Sequence, residues 1–228
     1  MALPTFRILL SMFAADLDVE YIHGDVTAAF VSSKMKRDVY VYLPSHLCPK
    51  GEERVVYKLE KALYGGVDAG RCFYDDWVNF HVNVLDFQVI HQDKCYLFKI
   101  EGDEFIRMVF HVDDTCYARK GDTMWNEYKK VIAKRFKIRF EPLQHFLGFK
   151  ITRDPKTGAF TLCLRQQVEK LLKVFHMEDC TAVDVPGKGK VPSMADLPKT
   201  DLGKEEAKSI PQMQAVGHRQ PPVVSQYA

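Results

Sequence analysis

Two adjacent carboxylates interrupt an apolar run in Val109-Phe110-His111-Val112-Asp113-Asp114-Thr115-Cys116. Strand-like residues lead into Asp113 and Asp114 and resume after them, the pattern of a hairpin with an acidic tip. Side chains that offer only oxygen suit a hard divalent cation such as magnesium, which takes few protein ligands. Asp also builds turns through bonds to its own backbone, and taken alone the pair favours that plainer reading. A third acid changes the weighting. Asp25, in Gly24-Asp25-Val26-Thr27-Ala28-Ala29-Phe30, falls at the end of another stretch with strand character. Carboxylates from two strands that meet at one end of a sheet could clamp two metal ions about 3.5–4 Å apart. One ion would activate a hydroxyl and the other would neutralise a triphosphate, the requirements of nucleotidyl transfer. Asp75-Asp76, by contrast, sits in a helical pattern and reads as a solvated face.

The elements that must position these acids follow from periodicity. Phe6, Leu9, Leu10 and Phe13 recur at helical spacing behind Pro4 and Thr5. Leu17 to His23 reads as a strand running into Gly24-Asp25, and Val39–Tyr42 and Val55–Tyr57 as two more, separated by Pro49-Lys50-Gly51. Asp68 to Leu85 is helical, with Phe73, Trp77 and Phe80 on one face. Strands over Cys95–Ile100 and Phe105–Val112 flank the turn Glu101-Gly102-Asp103. Thr115–Ala118 continues as a strand, and Asp122 is placed to cap a helix reaching about Arg135. Strands over Phe146–Arg153 and Ala159–Leu164 flank an Asp154–Gly158 turn, and Gln166–Phe175 is an amphipathic helix. Beyond Pro186 the composition turns to Pro, Gly, Lys and polar residues, as in a linker or disordered tail. The order implies an α+β fold, helices on one face of a mostly antiparallel sheet.

Composition sets the outer bounds. The 228 residues are 46% hydrophobic and 27% charged, ordinary for a globular chain able to bury its own core. A net charge of +2 permits a nucleic-acid partner without requiring one. The six cysteines form no C-x-x-C pair, and their scatter matches neither a zinc site nor a disulfide framework. His23, His91 and His111 lack ligand spacing with them and read as ordinary core or surface residues. No apolar run approaches about 18 residues and the opening lacks a basic flank. The expectation is a cytosolic or nuclear protein with no membrane partner. The basic run Lys129, Lys130, Lys134, Arg135, Lys137 and Arg139 could track a phosphate backbone, though a solvated face explains it as well.

Four stretches in order carry a likeness, from about Pro4 to Val185. They are Asp25-Val26 with Ala29-Phe30; Lys61-Ala62-Leu63-Tyr64-Gly65 with Arg71 and Tyr74; His111-Val112-Asp113-Asp114; and Phe146-Leu147-Gly148 followed by Gln166 and Val168–Leu172. Together they resemble the reverse transcriptase of copia-type LTR retrotransposons. The resemblance implies a polymerase palm over residues 1–185 with a partial thumb and fingers largely missing, and a tail over 186–228. It implies RNA-directed DNA synthesis from dNTPs on an RNA or DNA template–primer, within a polyprotein that also carries integrase and RNase H. Asp25, Asp113 and Asp114, with the Val26 carbonyl, would hold two Mg2+ ions, for which Mn2+ could substitute. Phe30 would act as a steric gate under the sugar, or be a core residue, and Arg71 would contact the nucleotide. Phe146, Leu147 and Gly148 would press on the primer end, although Gly148 could equally mark a bulge. Lys134 and Arg135 would bind the nucleic-acid backbone.

Departures from the family pattern point to a fragment or a non-catalytic, nucleic-acid-binding relic. Gly66, Val67, Asp68 and Gly70 stand where the second motif usually has Leu, Lys, Gln and Pro, and His111 replaces a Tyr. An acid at Asp68 near triphosphate oxygens would repel them. A small RNA-binding β-α-β module is disfavoured because its aromatic signature is absent.

Overall fold

The computed structural model describes residues 1–49, 55–181, 199–200 and 205. The chain divides into two compact units, Met1–Leu162 and Cys163–Ala228. The expected Lys50-Gly51 turn and nearly all of the expected tail lie outside the described residues.

The first unit opens with helix α1 (Leu3–Met12), started by Pro4 in its first turn and buried along Phe6, Leu9 and Leu10. Strand β1 (Glu20–Val26) and the short helix α2 (Ala29–Ser32) follow. A ribbon of β2 (Tyr40–Tyr42) and β3 (Val56–Lys58) stands before α3 (Ala69–Asn83). Then come β4 (Gln88–Val89), β5 (Tyr96–Glu101), β6 (Glu104–His111), β7 (Asp114–Lys120), α4 (Thr123–Ile132) and β8 (Ile138–Pro142). A small sheet of β9 (His145–Phe146), β10 (Phe149–Arg153) and β11 (Phe160–Cys163) completes the order. In the second unit, α5 (Arg165–Val174) carries an Arg165–Glu169 ion pair one turn apart.

The main sheet has six strands in the order β4-β5-β6-β7-β1-β8, antiparallel at every step, so the fold is α+β as expected. The strand that carries Asp25 lies inside this sheet, between β7 and β8, although the two strands come late in the chain.

Helices do not sit on one face, as the sequence suggested. Along β6, Met108, Val109 and Phe110 are buried in succession, which requires cover on both sides of the pleat. On one side Met108 and Phe110 join Phe73 and Trp77 of α3 and Trp125, Tyr128 and Ile132 of α4. On the other, Val109 joins Phe6, Leu9 and Leu10 of α1 with Phe146 and Ile151 of the small sheet. Among the described residues no helix is long and apolar enough to cross a membrane.

Three local features tie the fold together. Glu104, not Asp122, caps α4: its carboxylate accepts from the backbone N–H of Thr123 at 3.3 Å and of Met124 at 2.7 Å. Asp122 instead accepts from Arg119. The Arg153 guanidinium donates to the carbonyls of Val19, Ala14 and Asp16 at 2.6, 2.9 and 2.8 Å, and more weakly to Phe13, clamping the loop before β1. Inside the first core, Tyr128 donates to His81 Nε2 at 3.0 Å, because His81 Nδ1 must donate to the Trp77 carbonyl at 2.8 Å. With its proton so used, the Tyr128 oxygen accepts from Tyr117 at 2.9 Å.

Candidate active site

The antiparallel register of β1 and β7 sets Asp25 directly opposite Asp114. The strand end is closed by Val26 N–H donating to the Asp113 carbonyl at 2.9 Å, so the acidic tip is sewn to the end of β1. Two residues, Val112 and Asp113, make the turn between β6 and β7, whose last pair is His111 and Asp114. Val112 takes a φ of 57°, a conformation that a β-branched side chain enters only at a cost of about 1–3 kcal/mol. The acids expected to converge therefore come from neighbouring strands at one end of the sheet, on a strained turn.

Gly24 explains how closely β1 and β7 approach there. A Cβ at this position would lie 2.4 Å from Thr115 Oγ1 and 2.9 Å from the Tyr117 ring. The same Thr115 hydroxyl, fully buried, donates to the Gly24 carbonyl at 2.7 Å.

Charge around the three acids is unevenly compensated. Asp114 accepts from His23 Nε2 at 2.6 Å and from the Leu147 N–H at 3.1 Å. The Asp114 bond is the main cause that raises His23 above its ordinary range, against the opposing effect of burial. Asp25 has Arg139 opposite it on β8, with the guanidinium 4.0 Å from its carboxylate. Asp113 is held above the usual carboxylate range, first by burial and then by the charges of Asp114 and Asp25. A half-buried carboxylate crowded by two others is a place where a cation relieves repulsion, and the donor set is oxygen, as hard divalent ions prefer. Among the described residues, no three His, Cys, Asp or Glu side chains form a ready-made metal cluster. The residues thus fit such an ion in chemistry and strand placement, with the Asp114 carboxylate turned toward His23.

The Phe146–Gly148 segment is a hairpin tip, not the continuous strand expected over Phe146–Arg153. Phe146 pairs with Phe149, and the two loop residues, Leu147 and Gly148, have φ of 49° and 78°. Two positive φ values give the tight loop whose twist suits a two-residue hairpin. Phe146 is a core residue packed on Phe6 with ring centroids 4.7 Å apart, so Leu147 and Gly148 alone form the tip. The Leu147 amide joins that tip to Asp114.

The other expected site residues are placed as follows. Phe30 is half-buried, edge-on to Tyr64 at 4.9 Å. Arg71 pairs with Asp75 at 2.9 Å on its own helix. Asp75 and Asp76 are no solvated face: Asp75 also binds Lys36, and Asp76 binds Arg135 and Ser33. Helix α3 turns this edge toward α2 and the residues around it, so the acids anchor cations from other segments. Arg135 is thereby a cross-tie, reaching Asp76 and the Ser32 carbonyl and lying over Phe136, while Lys134 is exposed. Asp68 is paired with Arg37. Sequence reasoning missed His23 and Arg139 as neighbours of the acids. His23 stands two residues before Asp25, on the same face of the strand, and that period-two relation was the available signal. For Arg139 no local signal existed, because only the β1–β8 register brings it to Asp25.

Residues 2–188 match the family model described as reverse transcriptase (RNA-dependent DNA polymerase). The chain is 28% identical over 218 residues to the retrovirus-related Pol polyprotein from transposon TNT 1-94 of Nicotiana tabacum, covering 94% of this chain and 16% of that protein. It is also 28% identical over 199 residues to the retrovirus-related Pol polyprotein from transposon RE1 of Arabidopsis thaliana, covering 87% of this chain and 13% of that protein. The chain thus spans less than a fifth of the length of these relatives. No solved structure matches it. With four motif stretches in family order, acids of the first and third on paired strands, and a family model matching most of its length, the chain belongs to the reverse transcriptase (RNA-dependent DNA polymerase) family.

Proposed function

We propose that this chain is the palm of a copia-type reverse transcriptase, within residues 1–185, followed by a linker-like tail over 186–228. Its reaction is transfer of a nucleotide from a dNTP to a primer 3′-hydroxyl, directed by an RNA or DNA template. The observation that carries this reading is the pairing of Asp25 with Asp114 across β1 and β7, beside the turn that holds Asp113. Asp25, Asp113, Asp114 and the Val26 carbonyl would hold magnesium ions, or manganese in their place. When bound, two such ions supply an activated hydroxyl nucleophile and neutralise the triphosphate. The chain's own residues do the positioning. Leu147 and Gly148, at a tip tied to Asp114, bear on the primer end. Phe30, braced by Tyr64, lies under the sugar and disfavours a 2′-hydroxyl. Arg71 and Lys134 supply cations toward nucleotide and strand phosphates, with Arg135 supporting α2. The remaining partners are the RNase H and integrase parts of a Pol polyprotein, in the cytoplasm or nucleus.

Primer extension on a poly(rA) template with magnesium tests the reading. Extension by the chain, abolished by Asp113→Asn, supports it; no extension above that variant removes the activity.

A second reading is a non-catalytic nucleic-acid-binding relic. It is favoured by the engagement of Asp114 with His23 and the absence of a three-ligand cluster among the described residues. It calls for salt-sensitive oligonucleotide binding that Asp113→Asn leaves unchanged.

A further inference from the structure

Away from the acids, Lys34 and Lys61 face each other as an isolated antiparallel bridge. The bridge is closed by Met35 N–H to the Glu60 carbonyl and Ala62 N–H to the Ser33 carbonyl, both at 3.0 Å. Those bonds flank the two lysines, which makes them a non-hydrogen-bonded pair, the geometry in which opposed side chains lie closest. Like charges directly opposite in this position destabilise a sheet. Both lysines are exposed, and neither has a carboxylate in ion-pair range among the described residues. They line an open groove of about 500 Å³ together with Arg37, Lys58, Asp38 and Glu60, four cationic side chains against two acidic ones. The acids do not relieve the pair: Asp38 is bound to Lys58 at 2.6 Å, and Glu60 makes no ion pair with either lysine among the described residues, while Arg37 is paired with Asp68 outside the groove.

We propose that Lys34 and Lys61 form a phosphate clasp that holds the sugar–phosphate backbone of a single nucleic-acid strand along the β2–β3 side of the molecule. This rests on the polymerase-domain reading, which names a strand as substrate. An anion between two opposed ammonium groups turns their repulsion into two charge-assisted hydrogen bonds, one to each non-bridging phosphate oxygen. Continuity supports a strand as the ligand. Lys34 follows β1 and α2 directly, and Lys61 leads through Ala62 and Leu63 to Tyr64, which packs on Phe30. The clasp is therefore built on the segments that connect to the acidic end of the sheet and to its aromatic neighbour. The cost of setting two lysines face to face is explained by a ligand that the folded chain alone does not contain.

The test is binding of a fluorescein-labelled single-stranded RNA oligonucleotide to the full chain, by anisotropy over a salt series in EDTA. Removing both charges, Lys34→Gln with Lys61→Gln, is expected to reduce the slope of log K against log salt by about 0.7, the value for the one phosphate the pair holds. Lys34→Arg with Lys61→Arg should keep the slope. Lys34→Glu supplies the readout that a merely structural role would not give. It replaces repulsion by an ion pair, so its thermal midpoint should rise while its binding falls. A double Gln variant with the wild-type slope, or a Lys34→Glu variant that binds as wild type, overturns the clasp while magnesium-dependent primer extension still stands for the wider reading. Loss of all wild-type binding at low salt overturns both. Displacement of the oligonucleotide by inorganic triphosphate in the wild type, but not in the double Gln variant, would assign the pair to nucleotide phosphates and overturn the strand assignment.

Discussion

Gly24→Ala tests how the acidic end of the sheet is held together. The new methyl would meet Thr115 Oγ1 at 2.4 Å, the Tyr117 ring at 2.9 Å and Ile138 Cδ1 at 3.1 Å, so it presses on both β7 and β8. Ile138 can rotate its terminal methyl. Tyr117 is buried and its hydroxyl is fixed by Tyr128, and Thr115 is buried and bound to the Gly24 carbonyl. Overpacking of this kind costs about 1–3 kcal/mol. Displacing the Thr115 hydroxyl forfeits roughly 0.5–1.5 kcal/mol more. A total of about 2–4 kcal/mol corresponds to roughly 4–16 °C in thermal midpoint for a unit of this size. Trp77 and Trp125, the chain's two tryptophans, both lie in the core beneath this sheet, so their fluorescence in a urea titration reports the loss directly. Thr115→Ala removes the atom struck hardest, so in the double variant it should return part of the loss, a coupling of about 0.5–3 kcal/mol. An unchanged urea midpoint in Gly24→Ala, or no recovery in the double variant, refutes the close-approach argument.

Three further outcomes follow from the packing. His81, fully enclosed, is depressed by burial to about 3 from 6.5; the unfolded chain therefore takes up a proton that the folded chain refuses, and stability falls as pH drops from 6.5 toward 3. The slope is about 1.4 kcal/mol per pH unit, and urea midpoints of His81→Gln should lack it across that window. Arg153→Met strips the donors from the loop carbonyls of Ala14, Asp16 and Val19 and should cost on the order of 3 kcal/mol, read by urea denaturation. Glu104→Ala uncaps α4 and should cost about 1 kcal/mol, while Asp122→Ala, which removes no cap, should cost less by the same assay.

Period and turn chemistry made most elements legible. The hairpin around Gly102, the helix of Phe73 and Trp77 and the acidic turn at Asp113 all declared themselves locally. What failed was information carried by register and by layers. Val109 between Met108 and Phe110 was a sign of two covered faces, but an apolar run alone does not say which helix covers which face. The Leu147-Gly148 turn hid because Leu is an unfavourable residue at positive φ, so the sequence read as one strand where the chain makes two. Asp122 precedes α4 and looked like its cap; Glu104 does that work from β6, 19 and 20 residues before the amides it caps, beyond any local pattern. Likewise the pairing of Asp25 with Asp114 and Arg139 exists only once three distant strands align.

The place of β1 inside the sheet has a kinetic consequence. Its partners lie some 90 and 115 residues downstream, and the clamp on the loop before it waits for Arg153. During synthesis at about 5–20 residues per second, this segment stays without its final neighbours for roughly 6–23 s. Apolar Val19, Tyr21 and Val26 are uncovered through that interval, a window in which nascent chains associate wrongly or are captured by chaperones. Contacts so remote in sequence also slow refolding from denaturant, because each closes a long loop before it returns any stabilisation. The segment with Asp25, made long before the strands that pair with it, is thus among the last to become ordered.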